Sequence, residues 1–272
     1  MKILSVSNPH IKNLLALRKP RPRGEQGLAV VDGVQEITRA LEAGVPFQEV
    51  FSGLNAASPH LLGLLAARRV PVYEVSDRVM ERIAFGSRNE GLEAVCAPRP
   101  WTLEALPCRA RALYVVVEQV EKPGNLGAII RTCDAAGVDG VITCDTRTDM
   151  YNPNCIRASL GCVFSLPVVK AAPEQVHRFF KSRGVKIIAT TPTAEKTYYD
   201  ADLTSNLAVI VGSEHEGLGP FWLERAHETV RIPMKGQGDS LNVSVSCAVI
   251  IYEACRQKRH RADEPPARRE RA

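Results

Sequence analysis

Two short runs, Leu113-Tyr114-Val115-Val116-Val117 and Leu207-Ala208-Val209-Ile210-Val211, are apolar along their whole length and lead into loops rich in glycine, asparagine and proline. A strand without a polar face must be covered on both sides, which is the situation of a parallel sheet between layers of helix. Further runs at Gly140 to Thr143, Leu166 to Val169, Val185 to Ala189 and Val230 to Ile232 alternate with helical patterns. The second half of the chain is therefore predicted to be α/β with a parallel sheet.

The first half has a shorter rhythm. Strands are predicted at Leu28 to Val31, Glu49 to Phe51, Val70 to Val75 and Leu92 to Cys96. Helices are predicted from Val34 to Ala43, through Leu61, Leu62, Leu64 and Leu65, and from Asp77 to Ala84. This is the pattern of a small α/β sandwich. Ala97-Pro98-Arg99-Pro100 then reads as an extended linker. The expected organisation is a first domain over 1–97, a linker over 98–111, a second domain over 112–258 and a disordered basic tail over 259–272.

The 272 residues are 45% hydrophobic and 24% charged, which excludes global disorder. No window holds the roughly 18 consecutive apolar residues of a membrane span. The start turns polar at Asn8-Pro9-His10, too early for a signal-peptide core. A soluble, cytoplasmic protein is expected. None of the eight cysteines forms a C-x-x-C pair, so no metal site is predicted and the thiols read as reduced core residues. Residues 1–24 carry a local charge of +6 and residues 256–272 a local +4, within a net +5, so the body is mildly acidic between two basic ends. Such ends suit a polyanionic partner or are simply solvated.

Three loops carry candidate chemistry. In "EKPGNLGAIIRT", Asn125 is a candidate helix N-cap, and Leu126, Ile129, Ile130 and Cys133 form a buried stripe. Arg131 falls about 140° from Leu126 around the helix and points away from the core. In "GSEHEGLG", Gly212, Gly217 and Gly219 allow backbone to approach a ligand, while Glu214 and Glu216 argue against a phosphate cradle. In "IPMKGQGDSLNVSVS", the length of the apolar pattern through Cys255 marks a helix, with Ser240 and Asn242 as candidate caps. No Walker or dinucleotide fingerprint is present.

In this order and spacing, "NLGAIIRT", "GSEHEGLG" and "IPM…SLNVSVS" resemble the three signature motifs of the TrmH (SpoU) family of SPOUT RNA methyltransferases. The resemblance covers about residues 112–258 and includes "RASLGCVFSLPV"; the segment from "NPHIKNLLALRKPRPRG" is similar to the family's L30e-like RNA-binding domain. Val31-Asp32-Gly33 departs from that domain's more usual Glu-Gly. The resemblance implies a SPOUT parallel-sheet domain with a deep trefoil knot, S-adenosylmethionine as cofactor and a homodimer. It implies methylation of a ribose 2′-hydroxyl, by analogy in ribosomal RNA. Alternatives are a transfer-RNA 2′-O-methyltransferase, methylation of a base nitrogen and a catalytically silent RNA-binding assembly factor.

Carried over by motif, Asn125, Arg131, Glu214, Ser240 and Asn242 match catalytic and site-organising positions. Thr190, Gly212, Gly217, Ile232, Met234 and Leu241 match cofactor-binding positions, and Arg157 a position associated with substrate RNA. Lys12, Lys19, Arg21, Arg23, Arg39 and Arg88 are the further candidate phosphate contacts.

Overall fold

A computed structural model of the chain describes residues 2–54, 58–86, 90–213 and 216–263. They form two compact units. The first gathers residues up to Pro100 together with Lys122–Arg131 and Arg147–Pro167; the second gathers Trp101–Glu121, Thr132–Thr146 and the residues from Val168 onward.

The first unit is built on a five-stranded sheet of β1 (Lys2–Ile3), β2 (Ala29–Asp32), β3 (Phe47–Ser52), β4 (Val72–Val75) and β5 (Leu92–Cys96), in the order β1-β4-β3-β5-β2. The sheet is mixed, because β5 runs antiparallel to both β2 and β3 while the other pairs are parallel. Helices α1 (Pro9–Ala16), α2 (Pro20–Gln26), α3 (Val34–Glu42), α4 (Pro59–Ala67) and α5 (Asp77–Ile83) accompany it. The first two lie where the sequence shows mainly basic charge. Asn8 caps α1 by accepting from the His10 amide at 2.9 Å, and Ile11, Leu14 and Leu17 bury completely against the sheet.

Helix α6 (Pro123–Ala136) runs from the first unit into the second. The first unit also holds α7 (Pro153–Ala158) and a single 3-10 turn at Cys162–Phe164. Glycines draw these pieces in: a Cβ on Gly127 would stand 2.5 Å from the Cys155 carbonyl oxygen, and one on Gly161 would stand 3.0 Å from the Cα of Glu36. Close backbone approach is thus the reason that 122–131 and 147–167 cluster with the N-terminal sheet.

The second unit contains β6 (Leu113–Glu118), β7 (Gly140–Cys144), β8 (Val168–Lys170), β9 (Lys186–Thr190), β10 (Leu207–Val211) and β11 (Glu228–Val230), ordered β11-β9-β10-β6-β7-β8. Every pairing is parallel, as the unbroken apolar runs require. Helices α8 (Pro173–Ser182) and α9 (Pro220–Arg225) complete it around Tyr114, Phe180 and Trp222, and α10 (Val243–Asp263) packs against β10.

Several sequence expectations need correction. The strand expected at Leu166 to Val169 starts at Val168, because Cys162–Phe164 takes a tight turn first. The one expected at Val230 to Ile232 ends at Val230. The linker is not freely extended along its length, since Leu103 and Leu106 are buried in the core of the second unit. A Cβ on Gly140 would stand 2.6 Å from the tip of the Leu106 side chain, which would have to shift to admit it. The predicted tail begins too early, because α10 continues to Asp263. Polar residues with good helix propensity sustain it. Lys258 donates to the Ser205 and Arg111 carbonyls at 2.6 and 2.8 Å, and Gln257 accepts from the Leu203 amide at 2.9 Å. Residues 264–272 lie outside the described residues. All eight cysteines are free; six are buried, whereas Cys108 is exposed and Cys255 is half-buried.

Candidate active site

In the second unit β6, β10, β9 and β11 end side by side, with Val211 opposite Val117, Ile210 opposite Ala189 and Val230 opposite Thr190. The loops that leave these carboxyl ends therefore start along one edge of the sheet, where parallel α/β sheets hold their ligands.

The loop after β10 is a tight turn. Ser213 and Gly217 exchange two backbone hydrogen bonds of 3.1 Å, and the Glu216 amide donates to Ser213 Oγ at 3.1 Å. Gly217 has φ +68°, and a Cβ on Gly212 would fall 2.1 Å from the Gly217 carbonyl oxygen. Both positions require glycine whether or not a ligand is present. The turn is tied down by a residue that motif reading passed over: Glu118, 3% exposed at the end of β6, accepts the Gly219 amide at 2.7 Å. Burial pushes its carboxyl above the usual range, while the Gly219 amide pulls it back. The available signal was an acid closing an otherwise apolar strand. Glu214 lies outside the described residues.

Thr190, Ile232, Met234, Ser240 and Leu241 line one cleft of about 430 Å³, part of it open to solvent, whereas Gly212 and Gly217 are not among its lining residues. Four residues predicted from the third motif and one from a strand end are thus brought together. Thr190 Oγ1 donates to the Ile210 carbonyl at 2.9 Å, which fixes the strand end. Among the described residues, no amide from 232 to 241 donates to another backbone group, so this wall presents open hydrogen-bonding groups. Asn242 is the N-cap of α10: its Oδ1 accepts the Ser244 amide at 3.0 Å and the Ser244 hydroxyl at 2.6 Å. Ser240 is exposed two residues earlier and is not part of that cap.

Asn125 and Arg131 both belong to α6. The helix begins at Pro123, and the Lys122 carbonyl accepts the Leu126 amide at 3.2 Å. Lys122 therefore occupies the cap position expected for Asn125, because proline is preorganised for the first helical residue. Asn125 sits in the first turn. Arg131 is exposed, as the stripe predicted, and has no carboxylate partner among the described residues.

The other basic candidates divide sharply. Lys12, Lys19 and Arg21 are exposed, although Arg21 pairs with Glu25 at 2.7 Å. Arg23 corrects the expectation: it is 4% exposed, donates to the Leu17 carbonyl at 2.9 Å and pairs with Asp149 at 2.5 Å. Arg39 is half-buried and donates to the Leu160 carbonyl at 2.7 Å. Arg157 is paired with Asp32, donates to the Phe85 carbonyl and lies 5.1 Å from the Phe85 ring centroid. Asp32, the departure from the family's Glu-Gly, thus has a structural partner. Arg88 lies outside the described residues.

Taken together, the parallel sheet and the cleft at its carboxyl edge define an α/β domain with a ligand-sized cleft lined by both apolar and polar residues. The SpoU rRNA Methylase family matches residues 112–252, and an MRM3-like substrate binding domain matches residues 8–94. The chain is 32% identical, over 90% of its length and 88% of the relative's, to the 23S rRNA (uridine(2479)-2′-O)-methyltransferase of Streptomyces viridochromogenes. A crystal structure of an RNA 2′-O ribose methyltransferase superposes with a TM-score of 0.84 at 41% identity, covering 95% of this chain and 99% of that one. The AdoMet-bound rRNA methyltransferase of Sinorhizobium meliloti does so with a TM-score of 0.87 at 28% identity, covering 94% and 97%. The chain belongs to the SpoU rRNA methylase family and is an RNA methyltransferase that uses S-adenosylmethionine.

Proposed function

We propose that the chain transfers a methyl group to a ribose 2′-hydroxyl of ribosomal RNA. The observation that carries this reading is the cleft itself: Thr190, Ile232, Met234, Ser240 and Leu241 gathered at the carboxyl edge.

The residues fit S-adenosylmethionine. Ile232, Leu241 and Ile250 offer apolar walls for a flat adenine, and Thr190, Ser240 and the open amides offer polar partners. Asp239 on the same wall supplies a negative charge suited to a cationic ligand. When bound, the cofactor supplies a methyl group already activated by its sulfonium. The protein is left with alignment, which contributes up to roughly 7–11 kcal/mol in ideal cases, and with the hydroxyl proton. The guanidinium of Arg131 offers a planar fork of N–H donors and no acceptor. Its role in this reading is to clamp a substrate phosphate and to donate to the 2′-oxygen as negative charge develops there. Asn125 and Asn242 orient Arg131 and the ribose in this reading, Ser240 supports the turn, and Glu214 keeps the site-organising role that its motif position implies.

Residues 1–97 form the RNA-binding domain in this proposal, with Lys12, Lys19 and the Glu25-paired Arg21 as its exposed cations, and 112–258 form the catalytic domain. A homodimer is supported by Val245 and Tyr252, 47% and 52% exposed on one face of α10, with Leu241 and Met234 also exposed. Among the described residues no helix is long and apolar enough to cross a membrane, consistent with a cytoplasmic place of work. The test is incubation of the full chain with S-adenosylmethionine and ribosomal or transfer RNA from cells lacking its gene, followed by alkaline hydrolysis. One new alkali-resistant position in ribosomal RNA is expected. Resistance in transfer RNA, label on a base, or cofactor binding without methylation would each overturn the reading.

A further inference from the structure

The second unit carries a groove that shares no lining residue with the methyl-transfer cleft. It lies between Trp101–Glu104, the edge strand β8 and helix α8, and encloses about 1180 Å³, part of it open to solvent. Its floor is apolar, with Leu103 and Phe179 buried. Its rim carries Lys170, Arg178 and Arg183 against one carboxylate, Glu104. Lys170 and Arg178 are exposed and have no carboxylate partner among the described residues.

Arg183 is held in place. Its guanidinium lies 4.2 Å from the Phe179 ring centroid, and Nη1 donates to the Leu106 carbonyl at 3.3 Å. The positive field continues along α8, where desolvation and then Arg225 and Lys181 make His177 harder to protonate. Trp101, at the mouth, is 39% exposed, whereas the chain's other tryptophan, Trp222, is fully buried. A flat ring left in water beside two unpaired cations matches single-stranded nucleic acid, which supplies both a base to stack and phosphates to pair. A duplex keeps its bases stacked inside, and an acidic polypeptide has charge without a base for Trp101.

We propose that this groove binds a single-stranded segment of the RNA substrate, with one base stacked on Trp101 and neighbouring phosphates on Lys170 and Arg178. The proposal rests on the reading of the chain as an RNA methyltransferase. It is tested on the full chain by titrating a short unstructured oligouridylate while following tryptophan emission and, separately, the anisotropy of a labelled copy. Only Trp101 is placed to respond. Quenching of the wild type is expected, with loss of that quenching in Trp101→Phe. Weakening by about tenfold is expected in Trp101→Ala, from loss of one stacked base. The double variant Lys170→Glu, Arg178→Glu should flatten the salt dependence by about 1.4 slope units, at ~0.7 per single-strand phosphate contact.

Cofactor affinity should not change in any of these variants, which also reports that they fold. RNA binding by the wild type without quenching, or unchanged binding in the variants, overturns the groove while leaving the methyltransferase reading intact. Equal quenching by poly-glutamate overturns it in favour of an acidic protein partner. Failure of the wild type to bind any RNA overturns both.

Discussion

The two sheets handle charge in opposite ways. In the first unit Glu93 is fully buried within β5, with Asp32 on the neighbouring strand β2 and with Arg18 and Arg157 as the surrounding cations. In the second unit the two buried carboxylates stand at strand boundaries: Glu118 closes β6, and Asp139, just before β7, accepts the Leu113 amide at 2.9 Å. The mixed sheet thus consumes its charges internally, while the parallel sheet keeps a dry interior and uses charge to pin the loops at its edges. The partners of an arginine, more than its neighbours in sequence, decide what it is free to do. Arg23, Arg39 and Arg157 are engaged by oxygens of their own unit, whereas Arg131 is not.

The largest effects should separate these two kinds of arginine. Arg131→Ala is expected to lower turnover by on the order of 10²–10³ with little change in cofactor affinity or melting temperature, as for loss of one preorganised charge-stabilising group. Single-turnover methyl transfer beside a cofactor titration checks this, and near-normal turnover would remove Arg131 from the mechanism. Arg157→Met should do the reverse. It removes the cation paired with Asp32, leaves Arg18 alone beside two carboxyl groups and should destabilise the fold by about 2–4 kcal/mol. A further Asp32→Asn substitution should recover part of that loss in denaturant unfolding. A stable Arg157→Met variant with weakened RNA binding would break the comparison, since Arg157 would then face the substrate.

The comparison also explains what was legible in the sequence. The parallel sheet was readable because strands such as Leu207–Val211 have no polar face to misassign. The glycine turn was readable because Gly212 and Gly217 satisfy a steric demand that no other residue meets. Helices α1 and α2 were hidden, because their charged faces dominate Lys12 to Arg23 and the buried Ile11, Leu14 and Leu17 are few. The engagement of Arg23 and Arg157 was hidden for a different reason. Their partners, Asp149 and Asp32, lie 126 and 125 residues away, and no local pattern records a pairing that only the tertiary fold creates.

Glu118 sharpens the claim about loop pinning. If its carboxylate holds the glycine turn through the Gly219 amide, Glu118→Ala should raise the KM for S-adenosylmethionine by about tenfold, the scale of one hydrogen bond to a charged group. Turnover at saturating cofactor should hold. Glu118→Gln keeps an acceptor oxygen at the same reach and should restore KM to within about threefold. Equal KM values in all three proteins would show that the turn holds itself, through Gly212 and the Ser213–Gly217 pair.

The smallest expected effect concerns Glu93. Burial, and next the neighbouring Asp32, push its carboxyl well above the ordinary value of 4.5, with Arg18 opposing. The folded chain therefore retains a proton that the unfolded chain releases. The stability from this group is fully present below about pH 4.5 and is lost as pH rises toward the folded value. Glu93→Gln removes the titration and keeps the shape. The melting temperature of the variant relative to wild type should therefore climb as pH rises above about 4.5. A difference that stays flat would mean that Arg18 and Arg157 already hold Glu93 ionised. The first unit would then contain a compensated ion network, and its contrast with the dry interior of the parallel sheet would narrow to a matter of strand position.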